Sequence, residues 1–172
     1  MKFKEWFEKN LIVGAFPYKQ NAHFDTEGID IVINVSDEWY PDVEMQLKEK
    51  FIATYWFPMN ECKKDIGLNS IYGAMVILNR AEQRNLRVYL HCHAGINRSQ
   101  TVRCAYYFMR TGQHFEIDRG NGFINPLLAS CGRGYLPPKA EMEQYLINIM
   151  KHLSFMQGGI LDDCKLGTIN NF

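Results

Sequence analysis

The chain lacks net charge, a long apolar run, and any repeated or low-complexity tract, and each absence removes a class of function. Nineteen basic side chains balance nineteen acidic ones in 172 residues. No overall field therefore favours nucleic acid or an anionic membrane, and an anionic partner has to be recognised locally. No apolar stretch approaches the roughly 20 residues that a membrane-spanning helix needs. The opening text Met1-Lys-Phe-Lys-Glu-Trp-Phe-Glu8 is amphipathic and unlike a secretory leader, so a soluble, cytoplasmic protein is expected. Cysteine is sparse and odd in number, at 62, 92, 104, 131 and 164. That irregular spacing excludes a disulfide framework and fits a reducing compartment. Neither a Cys-x-x-Cys nor a His-x3-His pair occurs. His91, Cys92 and His93 carry ligand atoms, but adjacent residues do not readily share one tetrahedral ion, so no metal is expected.

What is present suits one sizeable core: 47% of residues are hydrophobic and 13% aromatic, and the length fits a single domain over 1–172. Apolar, β-branched text at 10–17, 28–36, 51–58 and 86–90 reads as strands. Segments 42–50, 70–83 and 99–111 carry helical spacing, with Ile71, Ala74, Met75 and Leu78 on one face of the second and Val102, Cys104 to Tyr106 and Met109 on one face of the third. Strands alternating with helices predict an α/β fold with a mainly parallel central sheet flanked by helices. Residues 118–138 are rich in glycine and proline and carry Arg119, Arg133 and Tyr135. They read either as a flap over an active site or as a surface excursion anchored by Phe123, Leu127 and Leu128. A last helix is expected from Pro137 to Leu153, and 157–172 reads as a C-terminal tail.

The most informative text is His91-Cys92-His93-Ala94-Gly95-Ile96-Asn97-Arg98-Ser99, placed between a predicted strand and a predicted helix. Backbone N–H groups in such a turn converge as a nest, and the following helix adds its positive dipole end, so an anion is stabilised without a metal. Gly95 supplies the freedom the wrap needs. The same field is expected to lower the Cys92 pKa from ~8.5 toward the ~3.5–7.5 seen for thiols at helix N-termini. Arg98 offers a planar fork for two phosphate oxygens, which a lysine does not. Ser99 can donate a hydrogen bond to the Cys92 sulfur, and His91 would hold the loop in shape. His93, Ala94, Gly95, Ile96, Asn97 and Arg98 are the candidate substrate-binding positions.

His91-Cys92-x-x-Gly95-x-x-Arg98-Ser99 resembles the signature loop of the cysteine-dependent protein tyrosine phosphatase superfamily, and the short chain is similar to its dual-specificity branch. Leu11 to Pro17 and Ile31 to Glu38 resemble the opening strands of that branch. The resemblance implies a phosphotyrosine phosphatase-like three-layer sandwich and a phosphocysteine intermediate on Cys92, with Arg98 binding phosphate and no cofactor. It further implies a carboxylic acid on the loop after the third strand, as proton donor to the leaving group. The family's Pro-x-x-Asp text falls on Pro58-Met59-Asn60-Glu61, so Glu61, 31 residues before Cys92, stands where the family has aspartate. Asp65 is the other candidate. Asp and Glu share this chemistry and differ mainly in reach.

The expected substrate is phosphotyrosine in proteins, with phosphoserine and phosphothreonine as extensions. The chain lacks the phosphotyrosine-loop text of the large tyrosine-specific enzymes and the paired loop lysines of the lipid-phosphatase relatives. Gly-x-Asn97-Arg98 resembles the RNA 5′-triphosphatase relatives, although no polyanion track accompanies it. Two other readings stay open at this level. One is a phosphate-binding module with little turnover. The other is a phosphatase of nucleotides, inositol phosphates or RNA 5′ ends. Expected partners are a phosphorylated protein or a small phosphomonoester, without nucleic acid or membrane.

Overall fold

The computed structural model describes residues 1–17, 26–59, 68–113, 115, 117–118 and 123–124. Four short strands, β1 (Leu11–Gly14), β2 (Ile31–Asn34), β3 (Ala53–Trp56) and β4 (Val88–His91), form one sheet in the order β1-β4-β2-β3, with every pairing parallel. The helices are α1 (Phe3–Lys9), α2 (Pro41–Glu49), α3 (Leu68–Gln83) and α4 (Arg98–Thr111). The expected α/β fold with a parallel sheet flanked by helices is therefore what the chain adopts.

Strand alternation divides the core between the two faces of the sheet. Leu11, Ile31, Ile33, Val88 and Leu90 point to the face covered by α1, α3 and α4, where Ile71, Ala74, Met75 and Leu78 of α3 are fully buried. Val32 points the other way, into a smaller cluster with Ile29, Leu47 of α2 and Ile52, flanked by Ile12 and Tyr89. A sheet buried on both faces reads as continuous apolar text, which is why β2 and β4 stood out in the sequence.

Two elements differ from their sequence signals. Helix α1 was visible only as amphipathic text, yet Trp6 and Phe7 are buried, and the Trp6 indole Nε1 donates to the Leu86 carbonyl at 2.9 Å. The apolar run 51–58 contributes just four paired residues, because β3 is the sheet edge, where Tyr55 and Trp56 stay exposed. Pro41 opens α2, where a missing N–H costs nothing. Past α4, Ile117–Asp118 and Phe123–Ile124 pair as antiparallel strands β5 and β6. The remainder of the 118–138 segment, the expected helix at 137–153 and the tail at 157–172 lie outside the described residues.

Candidate active site

Strand β4 ends at His91 and helix α4 begins at Arg98, so 92–97 form the expected turn at the carboxyl edge of the sheet, where parallel α/β folds place ligands. Neighbouring strands tie it down: the Phe16 N–H donates to the His93 carbonyl at 2.9 Å and the Val35 N–H to the His91 carbonyl at 2.8 Å. Gly95 sits at φ 72°, and a Cβ there would lie 2.6 Å from the Gly14 carbonyl oxygen and 2.7 Å from the Ala15 nitrogen. Both the dihedral and the close approach of the two backbones require glycine.

Cys92 is buried, with its Sγ 3.3 Å from Ser99 Oγ. Burial raises the pKa of the thiol. The Ser99 hydroxyl and backbone N–H, the Gly95 N–H and the Arg98 charge together outweigh that burial and leave it below the ordinary thiol value. His91 is buried beside it, with Nδ1 3.3 Å from the Cys92 carbonyl and its ring edge-on to Phe16. Burial pushes its pKa down from 6.5 to about 4, so the imidazole is neutral at ordinary pH. The thiolate is thus stabilised by hydrogen-bond donors and Arg98 rather than by an imidazolium.

Arg98 Nη1 donates to Asp37 Oδ1 at 2.6 Å and to the Met59 carbonyl at 3.0 Å, and the side chain is buried. Asp37 was not singled out from the sequence. The available clue was its place just past the carboxyl end of a predicted strand, β2. Glu38 is a second such residue: its Oε2 accepts from Tyr40 Oη at 2.6 Å and lies 3.0 Å from His93 Nδ1. The bonds from Tyr40 and then His93 hold the Glu38 carboxyl below its usual range. Asn34 shapes this loop, accepting from the Ser36 N–H and hydroxyl at 2.8 and 2.7 Å and donating to the Glu38 carbonyl at 2.9 Å.

The structure therefore brings Cys92, Ser99, Gly95, Arg98 and His93 together around one turn. Ile96 stands exposed on it, and Asn97 precedes the first turn of α4. Glu61, Asp65 and Cys62 lie outside the described residues. Among the described residues, no group of three or more His, Cys, Asp or Glu side chains could hold a metal, and no helix is long and apolar enough to cross a membrane.

The family described as dual specificity phosphatase, catalytic domain, matches residues 11–119, more than half of the chain. The chain belongs to that family. This dual-specificity phosphatase is thus a phosphoric monoester hydrolase, and its fold recurs in solved structures of low sequence identity. PTPMT1 in complex with PI(5)P superposes with a TM-score of 0.59 at 13% identity, over 84% of this chain and 94% of that one. The core catalytic domain of the PP-IP phosphatase SIW14 from S. cerevisiae gives 0.56 at 14%, over 88% and 90%. DUSP15 gives 0.53 at 16%, over 85% and 91%.

Proposed function

We propose that this phosphatase hydrolyses phosphotyrosine in proteins, with phosphoserine and phosphothreonine as further substrates, through a phosphocysteine on Cys92. The observation that carries the reading is the buried Cys92 thiol, lowered in pKa by Ser99, Gly95 and Arg98, in the turn between β4 and α4. In the first step the Cys92 thiolate attacks phosphorus and the ester P–O bond breaks. The leaving oxygen takes a proton from Glu61 or Asp65, and Arg98 with the turn's N–H groups holds the equatorial oxygens. In the second step water attacks phosphorus, giving its proton to the same carboxylate. The S–P bond breaks as Ser99 donates to the departing sulfur, and the thiolate returns. His93, Ala94, Ile96 and Asn97 line the approach.

A competing substrate class comes from the relatives, since SIW14 is named for PP-IP and one PTPMT1 structure holds PI(5)P. The turn here carries no lysine and only Arg98 as a fixed cation, which supports the protein substrate over a polyanion. The test is hydrolysis of an aryl phosphate from pH 4.5 to 8 by the wild type, Cys92→Ser, Glu61→Gln and Asp65→Asn, followed by phosphopeptides and inositol phosphates. Activity lost with Cys92→Ser, and an acid-side profile altered in only one carboxylate variant, would support the mechanism and name the acid. Turnover of inositol phosphates with no turnover of phosphopeptides would overturn the substrate.

A further inference from the structure

The loop 35–40 places two carboxylates against the phosphate turn, each bonded to one of its side chains. Asp37 meets Arg98 at 2.6 Å and Glu38 meets His93 at 3.0 Å, and their side chains remain 43% and 45% exposed at the rim. Arg98 is thereby already matched by a carboxylate before any phosphate arrives. Of the turn's other side chains, Ala94, Ile96 and Asn97 bring no charge. A second anionic group on a substrate would face Asp37 and Glu38, whereas a cation would be welcomed there.

Aromatic surface adjoins the carboxylates. The Trp39 and Trp56 rings stand 4.9 Å apart and are 40% and 39% exposed. Trp56 is fixed to the same loop, its Nε1 donating to the Ser36 carbonyl at 2.9 Å. Trp39 also walls a shallow hollow of about 30 Å³, open to solvent, together with Tyr40, Tyr55, Thr54 and Glu44. Indole faces beside carboxylates suit a guanidinium or ammonium group, which stacks on the ring while its N–H donors reach the oxygens.

We propose that Asp37, Glu38, Trp39 and Trp56 form a subsite for a basic side chain flanking the phosphorylated residue, so that the enzyme selects basic phosphorylated segments and rejects polyanionic phosphates. This rests on the protein-substrate reading above.

The test compares kcat/KM for three phosphotyrosine peptides of equal length, flanked by Arg, Ala or Glu, and for inositol hexakisphosphate. The wild type, Glu38→Gln, Glu38→Lys and Trp39→Ala are measured, each normalised to its own aryl-phosphate turnover. Partly exposed pairs of this kind give about two- to fivefold each, so the Arg peptide should lead the Glu peptide by about tenfold. The lead should shrink near 1 M salt, where the screening length falls to ~3 Å. Glu38→Gln and Trp39→Ala should narrow it and Glu38→Lys reverse it. Peptides hydrolysed without a charge preference, or with one that Glu38→Lys leaves unchanged, would overturn the subsite while leaving the protein substrate standing. Inositol hexakisphosphate hydrolysed while all three peptides are refused would overturn both.

Discussion

Acidification should destabilise this fold through His91, and the size of the effect follows from its burial. The ring is 2% exposed and packed between Phe16 and Tyr89, and its pKa falls from 6.5 to about 4. The unfolded chain takes up a proton near pH 6.5 that the native state refuses until about pH 4, so between those values the unfolded state binds more protons and stability rises with pH. The contribution is complete above pH 6.5 and lost progressively as pH falls toward 4. At about 1.4 kcal/mol for each pH unit of the interval, the full loss is about 3 kcal/mol, of which about 2 kcal/mol should be gone by pH 5. Urea unfolding of the wild type at intervals from pH 7 to 4.5, beside His91→Gln and His91→Asn, isolates the term, because every other ionisable group is common to all three proteins. The variants should be less stable at pH 7 and show a shallower decline. Parallel curves for the wild type and both variants would refute the reasoning.

Ser99→Ala removes the strongest of the hydrogen bonds that favour the Cys92 thiolate, so the pH at which iodoacetamide alkylates Cys92 should move upward, and breakdown of the phosphocysteine should slow. Gly95→Ala puts a methyl against the Gly14 carbonyl at φ 72°. It should cost about 1–3 kcal/mol in thermal or urea unfolding and reduce aryl-phosphate kcat/KM at least tenfold. Phe51 is 97% exposed at φ 61°, a left-handed conformation that a bulky side chain adopts at a cost. Phe51→Gly should therefore leave activity unchanged and raise stability by about 1 kcal/mol in denaturant unfolding.

The turn at 92–97 was legible because its geometry is local. The nest, the thiol, the hydroxyl seven residues on and the arginine all lie within one strand-to-helix passage, so spacing alone fixes who meets whom. The stripes of α3 and α4 and the apolar text of β2 and β4 were legible for a related reason: burial imposes a period on the sequence. Even α1 left a trace, with Phe3, Trp6 and Phe7 at helical spacing, although two turns are too few to mark a helix without the ring contacts to Tyr106 and Tyr107 that stabilise it. By itself, then, the sequence determined the class of fold and the meeting of Cys92, Ser99 and Arg98 in one turn, where we propose the thiol as nucleophile and the arginine as phosphate ligand. Only the tertiary structure decided what surrounds them. Asp37 reaches Arg98 across 61 positions and Glu38 reaches His93 across 55, because the strand order β1-β4-β2-β3 sets the end of β2 beside the end of β4. No period or motif encodes that adjacency, since parallel neighbours are joined by crossovers whose length says nothing about which strand lies next to which. The same order leaves β3 at the edge, and so exposes the aromatic surface next to the site.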